Sequence, residues 1–432
     1  MTRYVIVGNG VAGVAAISSL RALEGSAEIV QVAEDARGFY SRPGLAYYLT
    51  DEIPEKMLTI YTKDDWRKLK TRFVKGVVTT INPQKHQVEF GALGKLSYDR
   101  LLLATGSTAV PAAVPGAALQ GVVKLDDFDD SRRIISLARR AKTAVVLGGG
   151  IIALELVEGL KARGVKVHYF LRGKRYWPNV LDEAESRLLE QRLAEDGVTL
   201  HFQTEAAEIL GKSGKVIAVR TTRGETIRCE MVAVGIGVKL RLELAEAAGL
   251  ATDKGILTDE NMRTSQPDIF AAGDVAQVRD PVSGQAFIDT LWYPAREKGR
   301  IAALNMTGRK IPYQRKVSVN VLRLAGVMTT IIGAVGSGVD DDLVSVARGS
   351  SESWQQLPNT IAMESNMDVN HVRLMIGENT LLGAMVMGEQ KLSLPLQEII
   401  SSKVDISSIR HLLHPGAPLG QIIMDFWESL KS

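Results

Sequence analysis

Two glycine-rich loops contain the residues whose types and spacing could do chemistry in this chain. The first places Gly8, Gly10, Ala12 and Gly13 in the pattern G-x-G-x-x-G. Glycine at these positions permits a tight turn and a close backbone approach, so that amides at the start of a helix can hold a pyrophosphate. Glu34 lies 21 residues after Gly13, where the second strand of such a unit carries an acid that accepts hydrogen bonds from a ribose. These five residues predict a dinucleotide site.

The second loop consists of Gly148, Gly149, Gly150, Ile151, Ile152 and Ala153. Ala153 stands in place of the third glycine, and the strand that follows leads to Leu171 rather than to an acid. No carboxylate is therefore available at that point for a free ribose 2′-hydroxyl. Arg172, Lys174 and Arg175 come next, and such cations suit a 2′-phosphate. The pattern favours NADP over NAD; the alternative is a solvated basic loop that tolerates either cofactor.

Both loops have neighbouring elements that would position them. Apolar, strand-like runs precede them at residues 4–7 and 143–147, and helix-like runs follow at residues 14–23 and 154–160. A strand, a glycine turn and a helix in this order are typical of Rossmann-like α/β units. Two such units predict two bound dinucleotides, and FAD with NAD(P)H is the economical pair.

Composition restricts the function classes. The chain has 432 residues, a formal net charge of +3, 45% hydrophobic and 23% charged residues, which is the balance of a soluble globular protein of several domains. The small charge does not indicate a nucleic-acid partner. Cys229 is the single cysteine, which excludes an intramolecular disulfide, and the six histidines lack metal-ligand spacing, so we expect no metal. No secretory signal or membrane-length apolar run is recognisable, and we expect a cytoplasmic protein.

Two further motifs make the sequence similar to a known family. Residues 98–107, which include Ala104, Thr105 and Gly106, and residues 264–274, which end in Gly273 and Asp274, resemble FAD motifs of the pyridine nucleotide-disulfide oxidoreductase superfamily. With the two glycine loops, four motifs stand in family order, and the likeness covers roughly residues 1–310. The resemblance implies two three-layer, Rossmann-like nucleotide-binding domains, FAD and NAD(P)H as cofactors, and an aspartate, here Asp274, that holds a ribityl hydroxyl.

The roles of several other positions follow from this resemblance. Gly235 and Gly237 lie where the family's backbone meets the nicotinamide. Glu155 matches a family glutamate near the nicotinamide; the alternative is that Glu155 is a helix N-terminal carboxylate stabilised by the helix dipole. Arg42 and Pro43 resemble the start of the R-P-x-L-S-K segment of the rubredoxin and ferredoxin reductases, and we expect them beside the cofactor.

The sequence also departs from parts of the superfamily. Residues 39–49 fall where coenzyme A-disulfide reductases and NADH oxidases carry a redox cysteine, and this chain has Pro43 there. Thiol chemistry at the flavin is therefore not expected. The lysine of the R-P-x-L-S-K segment would fall at Tyr47. The remaining close likeness is to rubredoxin and ferredoxin reductases and to the flavoprotein region of nitrite reductase large subunits.

We predict three domains. Residues 1–112 and 252–310 form a split FAD-binding domain, and residues 113–251 form an inserted NAD(P)-binding domain. Residues 311–432 form a smaller α+β domain with strands at 317–321, 328–332 and 381–387. In the family this is an interface domain often used for dimerisation, so self-association is a candidate property.

The final helix carries an apolar stripe, which consists of Ile422, Ile423, Phe426, Trp427 and Leu430. This spacing favours a helix docked on the protein over peripheral contact with a membrane.

The predicted activity is FAD-dependent oxidation of NAD(P)H, with electrons passed to a rubredoxin- or ferredoxin-like carrier protein. This chemistry belongs to the cofactors and requires no dedicated acid or base. The alternatives are an NAD(P)H:quinone or small-molecule reductase and, in another class, a slow-turnover redox-sensing flavoprotein. The basic stretch at residues 67–72 is interpreted as a solvated helix face; the alternative is that it steers an acidic iron–sulfur partner.

Overall fold

A computed structural model describes residues 1–90, 94–281, 283–336, 361–367, 370–414 and 416–431. The first part of the chain forms β1 (Arg3–Val7), α1 (Val11–Leu23), β2 (Glu28–Ala33), α2 (Gly44–Leu49), a 3₁₀ turn (Glu55–Leu58), α3 (Lys63–Leu69), β3 (Arg72–Lys75), β4 (Thr80–Asn82), β5 (Gln87–Glu89), β6 (Lys95–Ser97), β7 (Arg100–Leu103), β8 (Ser107–Ala109) and β9 (Val122–Lys124).

The middle part forms α4 (Phe128–Ala138), β10 (Thr143–Leu147), α5 (Ile151–Ala162), β11 (Lys166–Leu171), α6 (Glu183–Glu195), β12 (Thr199–Phe202), β13 (Ala206–Lys212), β14 (Lys215–Thr221), β15 (Thr226–Arg228), β16 (Met231–Val234), β17 (Val238–Leu240) and α7 (Glu243–Ala247). The last part forms β18 (Ile256–Thr258), β19 (Ile269–Ala271), β20 (Ala276–Arg279), β21 (Ala286–Phe287), α8 (Trp292–Met306), β22 (Val319–Leu324), β23 (Val327–Gly333), β24 (Ile361–Met367), β25 (Asn370–Ile376), β26 (Leu381–Met387), α9 (Ser393–Ser401), a 3₁₀ turn (Arg410–Leu412) and α10 (Leu419–Ser429).

The first sheet is parallel and has the strand order β19-β7-β1-β2-β3. Its central strand β1 is apolar at consecutive positions and buried, as expected for a parallel strand covered on both faces. β19 comes from far along the chain, so segments before residue 104 and after residue 268 share one sheet. Helix α8 packs on α1 so closely that a Cβ at Gly299 would lie 2.1 Å from the Ala12 carbonyl oxygen.

The second sheet is also parallel, with the order β12-β11-β10-β16-β9. Each of the two sheets places a glycine loop between a central strand and the helix after it: β1 and α1 in one, β10 and α5 in the other. Because both sheets are parallel, both loops lie at the carboxyl ends of their strands, where such folds bind ligands. The predicted α/β fold class is confirmed.

The third five-stranded sheet, called the third sheet below, is antiparallel, with the order β22-β23-β26-β25-β24. The three strands predicted from the sequence are present as β22, β23 and β26, although the first begins two residues later than expected. Helix α9 packs on β23 and β26, and α10 packs on α9. Ile423 and Phe426 of α10 are buried, and the Trp427 indole donates to a carboxylate oxygen of Glu398 at 2.6 Å. The terminal helix is therefore docked on the protein, as its stripe predicted.

One apolar cluster joins the two parallel-sheet units to the third sheet. It includes Leu49 of α2, Val157 of α5, Leu324 of β22 and Met385 of β26. Burial of such surface is favourable at about 25 cal/mol per Å². Among the described residues, none of the helices combines the length and the apolarity that crossing a membrane requires.

Candidate nucleotide-binding site

The first glycine loop sits where β1 ends against β7. Gly8 has a φ of 118°, and a Cβ there would lie 2.1 Å from the carbonyl oxygen of Ala104. A Cβ at Gly13 would lie 2.5 Å from the Gly8 carbonyl oxygen. Both positions therefore require glycine, which explains the first and third glycines of the motif.

Each of the two loops leads into a helix whose N-terminus lacks a hydrogen bond from a capping side chain among the described residues. Within the described chain, α1 and α5 begin directly after Gly10 and Gly150, without a hydrogen bond from a capping side chain. Thr62, Asp127 and Asp182 cap α3, α4 and α6, whereas in the described part of the molecule α2, α7, α8, α9 and α10 also begin without such a bond, so the glycine loops and not the missing caps distinguish these two helices. The first amides of α1 and α5 are therefore available to an anion, and the positive end of each helix dipole favours one. This arrangement fits the pyrophosphate of a dinucleotide at each loop.

The predicted partners of the first loop lie around it. The Arg42 guanidinium comes within 3.5 Å of the position that a Cβ on Gly10 would take, and it lies over the Tyr40 ring. Pro43 follows as the residue before α2. Glu34 is exposed immediately after β2. A cation beside the loop and a carboxylate at the end of the neighbouring strand fit a phosphate and a ribose, respectively.

Gly273 and Asp274 approach this loop from β19. Gly273 has a φ of 84°, and a Cβ there would lie 3.1 Å from the Ala12 Cβ. One Asp274 carboxylate oxygen accepts a hydrogen bond from the Ser107 hydroxyl at 2.9 Å. The buried Lys298 ammonium donates to the Gly273 carbonyl at 3.3 Å and supports the loop from α8. The structure thus brings the two sequence motifs at residues 98–107 and 264–274 into direct contact.

The second glycine loop is built on the same plan. Gly148 has a φ of 135°, and a Cβ there would lie 2.2 Å from the Gly235 carbonyl oxygen. A Cβ at Gly235 would lie 2.7 Å from the Ala153 amide nitrogen at the start of α5. At Gly150, by contrast, a Cβ would meet none of the described atoms within 4 Å, so this position faces open space. Ile151 and Ile152 are partly buried in the first turn of the helix.

A short antiparallel ribbon connects the two candidate sites. β8 follows residues Ala104, Thr105 and Gly106, and β17 follows Gly237; the two strands pair with each other. The Val110 amide donates to the Gly237 carbonyl at 3.0 Å, beside the ladder. The segments predicted to meet the flavin and the nicotinamide are therefore adjacent in space.

The two arginines predicted to bind a 2′-phosphate have different environments. Arg172 is exposed directly after β11. Arg175 donates to the carbonyl oxygens of Pro178 at 3.1 Å and Asp182 at 2.9 Å, to the Leu181 carbonyl, and to the Ser186 hydroxyl at 2.9 Å. Arg175 thus has a structural role in folding the loop, and a bond to a phosphate would compete with these contacts.

Two glutamates of α5 are separated by one helical turn. Glu155 is partly buried one turn into the helix. Glu158 accepts a hydrogen bond from the Gly326 amide at 3.3 Å. Burial raises the pKa of Glu158 to about 7, although the Arg323 guanidinium opposes the change. Sequence reasoning did not identify Glu158, because its environment comes from the hairpin between β22 and β23.

One buried thiol and one cluster of titratable side chains bear on redox and metal chemistry. Cys229 is buried, and burial raises the pKa of its thiol to about 12, so the reactive thiolate is strongly disfavoured at neutral pH. Asp182, Glu185 and His371 bring three potential metal-ligand atoms within 4.8 Å of one another. The Arg373 guanidinium donates to both Glu185 carboxylate oxygens, at 2.9 and 3.0 Å, so a cation already occupies one carboxylate of this cluster.

Several residues of the site were missed by sequence reasoning. Ser107 belongs to the motif at residues 98–107, but its contact with Asp274 depends on the fold. Gln31 donates from its side-chain amide to the Gly8 carbonyl at 3.0 Å, and its oxygen has no hydrogen-bond partner among the described atoms. A buried glutamine in the middle of an apolar strand is the signal that could have identified it.

Comparisons with known proteins show what the chain is similar to. Residues 2–303 match the family described as pyridine nucleotide-disulphide oxidoreductase. The chain is 29% identical over 330 residues to the assimilatory nitrate reductase electron transfer subunit of Bacillus subtilis (strain 168), and the aligned residues make up 75% of this chain and 42% of that protein. It is 33% identical over 313 residues to the terpredoxin reductase of a Pseudomonas species, with 71% and 76% covered. The chain therefore spans less than half of the first relative and about three quarters of the second.

A solved structure extends the similarity to the whole chain. The covalent complex of putidaredoxin reductase with putidaredoxin matches with a TM-score of 0.85 and 25% identity, and the match covers 98% of each chain. The similarity thus includes the third sheet, which lies beyond the residues matched to the family.

Proposed function

The chain belongs to the pyridine nucleotide-disulphide oxidoreductase family, and we propose that it oxidises NAD(P)H through FAD and passes the electrons to a small protein carrier of the rubredoxin or ferredoxin type. The observation that carries this proposal is the ribbon of β8 and β17. It joins the end of one candidate nucleotide segment to the end of the other, so that two bound cofactors would have their reacting ends in one place.

FAD, when bound, would supply the redox chemistry, namely acceptance of a hydride from the reduced nicotinamide and release of two electrons to the acceptor. The protein's residues bind the cofactors and orient them. The open end of α1 holds a pyrophosphate, Glu34 accepts from a ribose, and Arg42 adds positive charge beside the phosphates. Asp274, oriented by the Ser107 hydroxyl, accepts from a hydroxyl of the cofactor's sugar chain.

A carrier protein is favoured by an exposed aromatic surface at the start of α8. Trp292 is 42% exposed and Tyr293 is 46% exposed. The Arg296 guanidinium lies over the Trp292 ring, and the Lys316 ammonium lies over the Tyr293 ring. The same helix supports the Gly273 loop through Lys298. Aromatic and basic side chains are the residues that anchor protein partners, and their charge suits an acidic one.

The basic stretch at residues 67–72 is less suited to docking. Arg21, near the end of α1, donates to the carbonyls of Leu69 at 2.8 Å and Lys70 at 3.1 Å. The stretch therefore lies beside the carboxyl end of α1, roughly 20 Å along that helix from its glycine loop. At that distance a charge can steer a partner, but it does not bring the partner to the flavin.

For the coenzyme, we propose that NADPH is preferred through Arg172. The site offers no carboxylate at Leu171, and the Arg172 side chain is exposed beside it. The Arg172→Ala variant should then lose the preference, whereas an Arg133→Ala control on the exposed face of α4 should keep it. Equal use of NADH and NADPH by the unmodified protein would refute this part of the proposal.

The test of the function is anaerobic stopped-flow reduction, which follows the visible flavin absorbance with NADH and NADPH compared side by side. Rapid bleaching, followed by rapid reoxidation with a rubredoxin or ferredoxin, is the expected result. Reoxidation by quinone alone would instead indicate a quinone reductase. A long-lived reduced state that no acceptor reoxidises would indicate a sensor, and a flavin that neither nucleotide reduces would refute the proposed enzyme.

The docking surface has its own test. Trp292→Ala should raise the KM for the carrier roughly tenfold or more, as loss of a tryptophan anchor does in other interfaces. Reduction of ferricyanide, a small acceptor, should remain unchanged. Phe73→Ala is the matched control, because Phe73 is an exposed aromatic on the edge strand β3. An unchanged KM for the carrier in Trp292→Ala would exclude this surface.

A further inference from the structure

Helix α2 links the two candidate sites in a way that the sequence motifs do not show. It belongs to the segment that follows β2 of the first sheet, but it packs against α5 of the second. A Cβ at Gly159 of α5 would lie 2.8 Å from the Leu49 Cβ at the end of α2. A contact this close leaves room for glycine alone, so the crossing of the two helices is tightly defined.

Arg163 fixes this crossing. It follows the last residue of α5, and its side chain is 17% exposed. Its Nε donates to the Leu49 carbonyl at 2.8 Å, and its Nη2 donates to the Tyr48 carbonyl at 3.0 Å. One planar guanidinium thus binds two carbonyls at the end of α2, in the fork geometry that a lysine does not reproduce.

The opposite ends of the two helices carry the predicted cofactor residues. α2 begins directly after Arg42 and Pro43, and Arg42 lies against the loop at Gly10. α5 begins directly after Gly150 of the second loop. At 1.5 Å per residue, α2 extends roughly 9 Å and α5 roughly 18 Å between these ends. A small change of angle at the Arg163 contact would therefore be amplified at the two loops.

We propose that Arg163 is a positioning residue that sets the distance between nicotinamide and flavin by holding α2 against α5. This inference rests on the proposed function. Among the described residues, Arg163 donates its hydrogen bonds to the end of α2 and to neither candidate glycine loop, so it acts through the two helices. Hydride transfer requires the reacting atoms at close, aligned contact, and a misplacement of about 1 Å can cost roughly a hundredfold in rate.

The test replaces Arg163 by Met, which keeps an apolar stem and removes both donors. At saturating nucleotide, the rate of flavin reduction in anaerobic stopped flow should fall roughly tenfold to a hundredfold. The long-wavelength charge-transfer absorbance of the reduced flavin with bound oxidised nucleotide should weaken, because it depends on stacking. FAD content and the dissociation constant of the nucleotide should stay close to those of the unmodified protein.

Three further variants make the test specific. Arg163→Lys retains the charge and can donate to one carbonyl, so it should recover part of the rate. Gly159→Ala inserts a Cβ against Leu49 and should reproduce the defect with the guanidinium intact, which also covers the case in which Arg163→Met does not fold. Arg139→Met is the matched control, because Arg139 is an exposed arginine just after α4.

The outcomes separate this inference from the function on which it rests. If the unmodified protein is reduced rapidly and Arg163→Met and Gly159→Ala are reduced at the same rate, the positioning role is overturned and the function stands. If Arg163→Met and Gly159→Ala lose FAD or nucleotide affinity in proportion to the rate, Arg163 is merely structural and the inference also fails. If neither nucleotide reduces the unmodified protein, the proposed function itself has failed.

Discussion

Replacing Glu158 by Gln should make the protein more stable at neutral and alkaline pH. The Glu158 carboxyl lies between α5 and the hairpin of the third sheet, and burial raises its pKa from 4.5 to about 7. A rise of about 2.5 in pKa corresponds to roughly 3 to 4 kcal/mol of free energy of unfolding, because each pKa unit is worth about 1.4 kcal/mol. Gln keeps an oxygen that can accept from the Gly326 amide, so this hydrogen bond need not be lost.

The sign follows from proton binding. Below about pH 4.5 the carboxyl is protonated in both states and contributes nothing. As the pH rises from 4.5 to 7, the unfolded chain releases this proton while the folded chain retains it, so stability falls; above 7 the loss is complete. Glu158→Gln removes this loss. Its advantage over the unmodified protein should therefore be absent at pH 4.5, grow up to pH 7 and remain constant above.

The assay is chemical denaturation followed by intrinsic fluorescence at a series of pH values, with the variant and the unmodified protein compared at each. Glu246→Gln, at an exposed position on α7, is the control for replacing any glutamate. Contributions of other titrating groups cancel in the difference. A difference between Glu158→Gln and the unmodified protein that does not change with pH would refute the reasoning, as would a destabilised variant at pH 8.

Two further predictions concern the buried ion cluster and the second glycine loop. Arg373→Met should destabilise the protein by about 3–5 kcal/mol, since it leaves the Glu185 carboxylate buried without its main cation. Thermal denaturation measures this loss, and the double variant with Glu185→Gln should recover part of it. An unchanged Tm for Arg373→Met would contradict the prediction. Gly148→Ala should disrupt the second loop, because its Cβ would lie 2.2 Å from the Gly235 carbonyl, whereas Gly150→Ala should leave the Tm unchanged and weaken nucleotide binding, because its Cβ projects into open space. Equal nucleotide titrations for Gly150→Ala and the unmodified protein would show that this space is not part of the site.

The sequence was sufficient for the glycine loops because their signal is local. Gly8 and Gly148 require positive φ values and close contacts with the ends of neighbouring strands, and these requirements restrict the residue type at each position. The apolar runs before the loops correspond to β1 and β10, because a buried parallel strand is apolar at consecutive positions. Such features can be predicted without knowledge of the rest of the chain.

Contacts between distant segments could not be predicted in this way. Glu185 and Arg373 are 188 residues apart, and neither belongs to a motif. Glu158 has an unusual pKa because the hairpin at Gly326 covers it. Each of these depends on which segments meet, and a single sequence with no pairing information leaves that open.

The third sheet contacts both parallel-sheet units and so restricts how the two candidate nucleotide sites lie relative to each other. Arg373 of β25 binds Glu185 at the start of α6 and also donates to the Val180 carbonyl, at 2.8 Å, in the loop that begins with Arg172. Leu324 of β22 shares an apolar cluster with Leu49 of α2. Sliding at this interface is unfavourable, because it would expose the shared apolar side chains to water and leave the Glu185 carboxylate buried without the Arg373 guanidinium. The distance between the two glycine loops is therefore set when the protein folds, and the proposed reaction depends on that preset geometry more than on any single acid or base.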